Sequence, residues 1–287
     1  MSKLAPATGT VLVTGATGTV GRELVAQLLE AGESVRALVR DPTSAALPAD
    51  VEVVTGDLAD PDTFRGDLDG ITAVFLVWPF TAPETATALT PKVLETLAAR
   101  GRRIVYLSAT AAAAAPDSFW AVVERQVRQS ASWWTLLRPT GFAKNTLMWA
   151  DQIRTDGVVR WPFPDAARSL IDERDIAAVA LLALTQLGHR GETYVLTGPQ
   201  TLTHVEQVRA IGDALGHRLR FQELSRSEAR PMLVAAFVDE AFVDSSLDVW
   251  EGFAAQPEEV TSTVQDLTGR PAGTLRDWAG RHVADFR

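Results

Sequence analysis

The amino-acid sequence predicts an α/β protein with a Rossmann-type, doubly wound parallel sheet and a small, mostly helical C-terminal lobe. Short apolar runs alternate with amphipathic segments over the first half of the chain, which is typical of a parallel sheet covered by helices on both faces. The first apolar run also leads into a glycine-rich turn followed by a helical segment, as in the first βα unit of such sheets.

The predicted strands are short apolar runs, several of which end at a glycine, a proline or a polar residue. The first covers Val11–Val13 and leads into Thr14 and Gly15, as expected of a buried strand that feeds a turn. The other predicted strands are Val35–Val39, Val51–Val54, Val74–Val77, Ile104–Leu107, Trp134–Leu137 and Thr193–Thr197.

Amphipathic segments between these runs predict helices. In the first helix, Leu24, Val25, Leu28 and Leu29 recur at helical spacing, and Gly32 ends it. Further helices are predicted at Pro91–Ala99, Phe119–Ser130, Ile176–Leu187 with Asp175 as its cap, and Glu206–Leu215. Loops are expected at Ala111–Ala115, which could also be a first helical turn, and at Trp161–Pro164.

The rhythm of strands and helices changes after about Asn145, which predicts two parts. Residues 1–150 are expected to form the Rossmann core that carries the glycine-rich turn. Residues 151–287 are expected to add a late helix and strand to that core, and to form a small substrate-covering lobe over the strand ends, where α/β sheets bind ligands.

Composition limits the classes of function. A net charge of −9 argues against nucleic acid as a partner, because phosphate backbones require clustered basic residues. The chain has no cysteine, which excludes disulfides and thiolate catalysis, and its four histidines lack metal-ligand spacing. Met1–Thr10 has neither the basic nor the apolar part of a signal peptide, and no apolar run could span a bilayer. We therefore expect a cytoplasmic protein with no metal and no membrane partner.

The segment from Gly15 to Gly21 is the strongest candidate for a binding site. Gly15 permits a tight turn, Gly18 lets the backbone approach a pyrophosphate, and Gly21 lets the helix pack close to the strand. The helix that starts near Thr19 and Val20 directs free N–H groups and its positive dipole end at the anion. A turn that binds nothing is the alternative; the strand before it and the helix after it favour a nicotinamide dinucleotide.

Arg40 closes the second predicted strand, near the spacing at which a ribose-binding residue is expected. An arginine there can pair with the 2′-phosphate of NADP, so we predict NADP(H) in preference to NAD(H). Asp41 could instead bind the 2′-hydroxyl of NAD, and Arg40 could be a solvated charge. Asp57 follows the third strand and could accept from the adenine amino group, cap the next helix, or do both.

Several segments together resemble the NmrA-like branch of the atypical short-chain dehydrogenases/reductases. They are Thr14–Gly21, Ala37–Pro42, Gly56–Leu58, Leu137–Phe142 with Asn145, Ile171–Ala177 and Tyr194–Pro199. The resemblance implies NADP(H) bound across the strand ends, in a family that holds quinone and other reductases and also NADP-binding redox sensors without catalysis.

The resemblance further implies that Ser108, Pro139 and Phe142 lie near the nicotinamide, and that Val77 to Pro79 lie beside the middle of the cofactor. With the turn and the ribose-binding positions included, the predicted cofactor contacts are Gly15, Ala16, Thr17, Gly18, Thr19, Val20, Gly21, Arg40, Asp57, Leu58, Val77, Trp78, Pro79, Ser108, Pro139 and Phe142.

The usual proton donor of short-chain reductases is missing. These enzymes pair a tyrosine with a lysine four residues later, and the lysine lowers the pKa of the tyrosine. The two tyrosines here, Tyr106 and Tyr194, are followed at that distance by Thr110 and Gly198. Hydride transfer to a quinone can proceed by positioning alone, with solvent as the proton source. The absence therefore favours a quinone-like or conjugated acceptor.

Ser108 is the candidate catalytic residue, since its hydroxyl could donate to a substrate oxygen at the nicotinamide edge. The hydroxyl could equally be satisfied by local backbone. Thr110 is a second candidate. Glu124 could orient the site or complete a polar network, and Lys144 fits a surface charge better than a catalytic role.

Aromatic residues are frequent on segments expected to border the strand ends. They could form walls for a planar aromatic substrate, or they could fill the core. The predicted substrate contacts are Trp78, Phe80, Thr110, Trp120, Phe142, Trp149 and Trp161.

The first hypothesis from the sequence is an NADPH-dependent oxidoreductase that transfers hydride to a quinone-like or conjugated aromatic small molecule. The second is a non-catalytic protein that senses the NADP/NADPH ratio and signals to a protein partner. The third is an isomerase or epimerase that uses the cofactor transiently. The oligomeric state stays open, with a homodimer as one alternative.

Overall fold

The computed structural model of the chain describes residues 9–237 and 240–287. These residues form two compact units. Unit 1 comprises the described part of Met1–Pro139 together with Glu173–Leu196 and Asp266–Gly269, and unit 2 comprises Thr140–Asp172, Thr197–Gln265 and Arg270–Arg287. Most of Met1–Thr10, the segment expected not to be a signal peptide, lies outside the described residues.

The strands of the described residues largely follow the apolar runs of the sequence, with ends that differ by a few residues. They are β1 (Thr10–Thr14), β2 (Ser34–Val39), β3 (Glu52–Thr55), β4 (Ile71–Val77), β5 (Arg103–Leu107), β6 (Trp134–Pro139), β7 (Val158–Pro162), β8 (Ala167–Arg168), β9 (Glu192–Leu196), β10 (Leu202–Thr203) and β11 (Arg220–Leu224).

The helices of the described residues are α1 (Thr19–Glu30), α2 (Pro83–Leu97), α3 (Ala111–Ala114), α4 (Phe119–Ser130), α5 (Ala150–Asp156), α6 (Glu173–Thr185), α7 (His204–Leu215), α8 (Arg226–Phe237), α9 (Glu240–Ala255), α10 (Thr263–Thr268) and α11 (Leu275–Arg281). Short 3₁₀ turns connect several of them. Among the described residues, no helix combines the length and the apolar composition needed to cross a membrane.

Unit 1 is built on a seven-stranded parallel sheet in the order β3-β2-β1-β4-β5-β6-β9. Helices α2 and α4 pack against the face that carries Leu12, Leu76 and Tyr106. Helices α1 and α6 pack against each other, and α6 contacts β4, β5 and β6. This arrangement confirms the predicted doubly wound α/β fold. The order changes direction between β1 and β4, which is where such sheets bind ligands.

Two helix predictions were wrong at their starts. Helix α2 begins at Pro83, and Pro91, which was expected to open it, lies in its interior. Proline at the first helical position lacks an N–H that would have no partner there, so Pro83 is a good helix start. Helix α6 begins at Glu173, so Asp175 lies inside its first turn rather than at a cap. Its acidic first turn suits the positive end of the helix dipole.

Unit 2 contains two short strand pairs. β7 pairs in parallel with β11, and β8 pairs in antiparallel with β10. The loop predicted at Trp161–Pro164 was therefore partly wrong, because Trp161 and Pro162 close strand β7 opposite Glu223 and Leu224. A proline is tolerated at the end of such a strand because only one neighbour needs its hydrogen bonds.

The first segment of unit 1 ends at Pro139, earlier than the expected boundary at residue 150. Beyond Pro139 the backbone leaves the sheet. Within unit 2, Phe142 forms a parallel bridge with Ile171, and the N–H of Ile171 donates to the Gly141 oxygen at 2.9 Å.

Candidate functional site

The predicted glycine turn forms between β1 and α1. Gly15 has a φ of +64°, a conformation that favours glycine. The N–H of Gly18 donates to the Gly15 oxygen at 2.9 Å, which closes the turn. A Cβ on Gly21 would lie 2.0 Å from that same oxygen, so no side chain fits there without moving backbone. The three glycines therefore shape the turn through the absence of side chains.

The start of helix α1 leaves its amides available to an anion. Gly18 is the N-cap residue, no side chain caps the helix, and its first turn carries no acidic residue. Ala16 and Val20 bury their side chains, so only their backbone could face a ligand. Gly18 is exposed, and a Cβ added to it would have only the Gly15 oxygen within 4 Å, at 3.1 Å. An uncapped helix start that is free of obstructing side chains fits a pyrophosphate group.

Two polar side chains hold the turn in place, and no local pattern in the sequence distinguishes them. The Arg22 guanidinium donates to the Thr17 oxygen at 2.8 Å and to the Ala46 oxygen at 3.3 Å. The Thr14 hydroxyl accepts from the Val77 N–H at 2.8 Å, where the β1–β4 ladder ends. The turn is thereby tied to the loop after β2 and to the end of β4.

The loop after β2 separates the two candidates for the ribose-binding residue. Arg40 is exposed directly after the strand. Asp41 instead accepts from the hydroxyl and the N–H of Thr43, at 2.6 and 2.9 Å. These hydrogen bonds hold the pKa of Asp41 below its ordinary value. The carboxylate of Asp41 is thus engaged in a local turn, whereas the guanidinium of Arg40 faces solvent.

Asp57 and Leu58 follow β3. Asp57 accepts from the Ala59 N–H at 2.9 Å, and its own N–H donates to the Thr63 hydroxyl at 3.0 Å. Leu58 is buried in the core beneath the sheet edge. The alternative in which Asp57 caps the next helix was wrong: the short 3₁₀ helix Pro61–Thr63 has Asp60 at its N-cap and no side-chain cap, and the carboxylate of Asp57 closes a local turn with Ala59 instead. The contact of Asp57 with adenine stays a prediction.

The end of β4 carries a cluster of apolar side chains. Trp78 is buried with its Nε1 unpaired among the described residues, and its ring meets Phe80 edge-on at 5.3 Å between centroids. Val77 lies against Gly15, since a Cβ on that glycine would be 3.1 Å from the valine. Pro79 is exposed. The structure thus brings Val77 beside the glycine turn.

A buried polar network lies under the end of β5. The Ser108 hydroxyl donates to Glu124 Oε1 at 2.6 Å. Arg138 donates to both oxygens of Glu124, from Nε at 2.8 Å and from Nη2 at 2.6 Å. Arg128 contributes a second guanidinium, 3.4 Å from Glu124 Oε2. The side chain of Glu124 is only 2% exposed, so these three partners replace water around its carboxylate.

Glu124 completes a polar network, as one of its two predicted roles required, and its role in orienting the site stays a prediction. The network also includes Arg138, which was not among the predicted site residues. The hydrogen bond to Glu124 raises the pKa of Arg138. A signal for the pair existed, because Arg138 interrupts an otherwise apolar strand on the face that packs against α4. A charge at such a position requires a buried partner on the facing helix.

Neither tyrosine is free at the strand ends. Tyr106 is fully buried in β5, and its hydroxyl has no hydrogen-bond partner in the described part of the chain. Burial raises the pKa of Tyr106, and the charge of Glu124 adds to the rise. Tyr194 lies in β9 with its hydroxyl 2.9 Å from Nδ1 of His189.

Two other candidates lie in unit 1 near the ends of β5 and β6. Thr110 is half-buried, and its N–H donates to the Pro139 oxygen at 3.1 Å. Trp120 is the second residue of helix α4, and its ring stacks at a tilt on Phe119 with 4.1 Å between centroids. Their contact with a substrate stays a prediction.

The remaining candidates lie in unit 2. Trp149 and Trp161 are buried in its core, with ring centroids 5.9 Å apart, so much of their aromatic surface serves packing. Phe142 is half-buried and Lys144 is exposed. The substrate and cofactor contacts predicted for these residues stay predictions.

The aromatic core of unit 2 also holds a histidine. His204 donates from Nδ1 towards the oxygens of Pro162 and Phe163, at 3.1 and 2.9 Å. Its ring lies edge-on to Trp149 and Trp250, with centroids 6.0 and 6.4 Å away. Burial lowers the pKa of His204 to about 4, so the imidazole is neutral at pH 7.

Comparison with known proteins gives the family. Residues 15–187 match the family described as NAD(P)H-binding. The chain is 41% identical over 287 residues to a (4-alkanoyl-5-oxo-2,5-dihydrofuran-3-yl)methyl phosphate reductase of Streptomyces griseus, covering 96% of this chain and 99% of the relative. It is 35% identical over 288 residues to an NAD(P)H azoreductase of Xenophilus azovorans, with the same coverage.

The fold of a solved structure agrees. The NADPH-dependent quinone oxidoreductase QOR2 of Escherichia coli, complexed with NADPH, superposes with a TM-score of 0.81 at 24% identity, covering 95% of this chain and 99% of that one. The chain therefore belongs to the NAD(P)H-binding family, in the NmrA-like branch of the atypical short-chain dehydrogenases/reductases, and is an NAD(P)H-dependent oxidoreductase.

Proposed function

We propose that this oxidoreductase transfers hydride from NADPH to a quinone-like or other conjugated acceptor whose reduced form is a delocalised anion. One observation carries the proposal: both tyrosines of the chain are committed elsewhere. Tyr106 is buried in the core, and Tyr194 is bonded to His189. An unconjugated ketone would become a localised alkoxide that needs a strong acid, and neither tyrosine is free to supply one.

A conjugated acceptor removes that need. Hydride addition to a quinone, to an azo bond or to an acyl-substituted unsaturated lactone leaves the negative charge spread over several atoms, and water can protonate it. The names of the two relatives and of the solved structure describe acceptors of this kind. They support the same chemical class for this chain without selecting one substrate.

The residues of unit 1 divide the work along the sheet edge. The backbone of Gly15–Gly21 would hold the pyrophosphate, and Arg40 would pair with the 2′-phosphate. The bound cofactor supplies the hydride. Trp78, Phe80 and Trp120 would offer apolar surface to a planar acceptor at the ends of β4 and β5.

The cofactor preference rests on the contrast between Arg40 and Asp41. The exposed guanidinium can form charge-assisted bonds with a phosphate, while the carboxylate that would bind a 2′-hydroxyl is engaged with Thr43. A thermal-shift comparison tests this, because the ligand that binds the native state more tightly raises the melting temperature more. We expect a larger shift with NADPH than with NADH at equal concentration.

The reaction is tested by following NADPH absorbance with three acceptors: a quinone, an azo dye and an acyl butenolide. A saturated ketone of similar size is the matched control. We expect turnover with at least one conjugated acceptor and none with the ketone. Reduction of the ketone alone would contradict the proposal. Tight NADPH binding without turnover on any acceptor would favour the redox-sensor alternative.

A further inference from the structure

We infer that Ser108 offers only hydrogen-bond acceptor capacity at the sheet edge and binds the N–H of the nicotinamide carboxamide, with Glu124 and Arg138 as positioning residues that fix this polarity. The inference rests on the proposed function, because the proposed pairing of Arg40 with the 2′-phosphate decides which side of the sheet holds the nicotinamide. It reverses the donor role that the sequence suggested for Ser108.

The first step is a count of protons. A serine hydroxyl has one hydrogen and two lone pairs. The Ser108 hydroxyl donates its one hydrogen to Glu124 Oε1 at 2.6 Å. The backbone N–H of Ser108 is also used, since it donates to the Leu137 oxygen at 2.8 Å. Ser108 therefore has no donor left for a ligand, and lone pairs on Oγ are what it can offer.

The second step concerns Glu124, which keeps the serine hydrogen in place. Arg138 donates to both carboxylate oxygens of Glu124, at 2.8 and 2.6 Å, and arginine has no acceptor atoms. A proton on either oxygen of Glu124 would displace one of these bonds. The carboxylate is also shielded from water, at 2% side-chain exposure. It therefore acts as a fixed acceptor towards Ser108.

The third step places Ser108 relative to the cofactor. Neighbouring strands lie about 4.8 Å apart, so the end of β5 is roughly 10 Å from the glycine turn after β1, with β4 between them. A dinucleotide lies across the strand ends, one half on each side of the switch point. With Arg40 after β2 on the adenosine side, the nicotinamide half falls over β4 and β5.

The fourth step matches chemistry. A quinone or an acyl lactone carries oxygen acceptors and no N–H, so a hydroxyl that only accepts cannot bind it. The carboxamide of the cofactor carries two N–H donors at the ring end. An acceptor-only Ser108 therefore suits the cofactor rather than the substrate, and it would fix the orientation of the nicotinamide ring for hydride transfer.

A cofactor analogue isolates this contact. The reduced acetylpyridine analogue of NADPH replaces the carboxamide NH₂ by a methyl group and keeps the carbonyl. We expect Ser108→Ala to weaken NADPH binding about fivefold, the value of one neutral hydrogen bond, and to leave analogue binding unchanged. Calorimetry without any acceptor substrate measures both dissociation constants. Thr110→Val is the matched control, because it removes a nearby hydroxyl; we expect the same NADPH-over-analogue preference as wild type.

Glu124→Gln tests the positioning role. Its amide oxygen would remain with Arg138 Nη2, and its NH₂ would take the place of Oε1, where it loses the bond from Arg138 Nε and donates to Ser108. Ser108 must then turn its hydrogen towards the ligand. We expect the NADPH-over-analogue preference to fall as it does in Ser108→Ala. The double variant should lose no further preference, since both changes act on one contact.

Two results would overturn the inference. In the first, Ser108→Ala weakens both cofactors equally. In the second, it leaves both affinities unchanged and raises the KM for the quinone, as a substrate donor would. The inference is supported if the wild-type protein binds NADPH more tightly than the analogue and Ser108→Ala abolishes this preference. That support holds even when no acceptor is reduced, because the lack of turnover would defeat only the proposed function. If Glu124→Gln fails to fold, the Ser108→Ala comparison decides alone.

Discussion

The two units each bury an ionisable group, and they do so in opposite ways. In unit 1, the carboxyl group of Glu124 lies under the sheet edge with a countercharge, since Arg138 donates to both of its oxygens. In unit 2, His204 has no acidic partner in the described residues, only carbonyl oxygens and tryptophan rings, and its pKa falls to about 4. A buried charge is stabilised by a countercharge, whereas a buried base without one loses its proton.

The two units therefore differ in the kind of environment that they maintain. Unit 1 maintains fixed charges and a bare backbone turn at the edge where a polyanionic cofactor is expected. Unit 2 maintains a neutral aromatic core. Variants of the turn, of the charged pair and of the neutral histidine should therefore lose stability or binding for different physical reasons.

The largest effect is expected from Gly21→Ala. The added methyl group would lie 2.0 Å from the Gly15 oxygen, and no rotamer change can relieve a backbone clash. We expect the free energy of unfolding to fall by about 4 kcal/mol or more and NADPH binding to be lost. Chemical denaturation and calorimetry measure the two effects.

A glycine without such a neighbour provides the control. A Cβ on Gly280 in α11 meets nothing within 4 Å, so Gly280→Ala should be neutral or stabilise by up to about 1 kcal/mol. Equal losses in the two variants would show that the turn is not the sensitive feature.

The next effect tests the charged pair of unit 1. Glu124→Ala leaves Arg138 without its partner, and breaking a buried ion pair costs about 3–5 kcal/mol; we expect about 3 here because Arg138 retains some contact with water. Urea denaturation at pH 7 measures the loss. Arg128→Ala, which removes the outer and more exposed guanidinium, should cost less than about 1 kcal/mol.

Acid tests the neutral histidine of unit 2. The folded pKa of His204, about 4, lies below its ordinary value of 6.5, so the unfolded chain binds more protons between these two pH values. Stability should therefore fall as the pH falls from about 6.5 towards 4, by about 3 kcal/mol from this residue. Denaturation curves across that range in His204→Gln should show a shallower slope. His217 is exposed, so His217→Gln should show the same dependence of stability on pH as the wild type. Identical pH dependence in the wild type, His204→Gln and His217→Gln would contradict the assignment of this effect to His204.

Arg40→Ala tests whether the exposed guanidinium after β2 binds the 2′-phosphate of NADPH. We expect NADPH affinity to fall about tenfold, the value of charge-assisted bonds to one phosphate, and NADH affinity to stay unchanged. The fall should shrink as salt is added, because the guanidinium is exposed. An equal loss for both cofactors would place Arg40 away from the 2′-phosphate.

The smallest effect concerns the unpaired hydroxyl of Tyr106. Because this hydroxyl is buried and has no partner in the described residues, Tyr106→Phe should be neutral or stabilise by about 1 kcal/mol. Thermal denaturation measures the change. A large loss of stability would reveal a hydrogen bond at that position.

The sequence predicted much of unit 1 because its signals are local. Apolar runs give buried strands, and the spacing of Gly15, Gly18 and Gly21 is set by backbone sterics within one turn. The pairing of Arg138 with Glu124 joins a strand to a helix, and no local pattern specifies which helix faces which strand. The same reason hides the contact of Arg22 with the Ala46 oxygen.

Unit 2 was harder to predict for a related reason. Strand β7 closes with Trp161 and Pro162, which suggested a loop, and its strand character comes from pairing with the distant β11. The burial of Trp149 beside Trp161 likewise depends on packing between segments that are separate in the sequence. Short strands stabilised by distant partners carry weak local signals.

The isolation of Tyr106 also gives the protein an internal optical reporter. The chain has two tyrosines, and phenolate absorbs at longer wavelength than phenol. Burial keeps Tyr106 protonated in base for as long as unit 1 stays folded, whereas Tyr194 is partly exposed. An alkaline titration should therefore show one phenolate in the native protein, and the second should appear together with the collapse of the sheet.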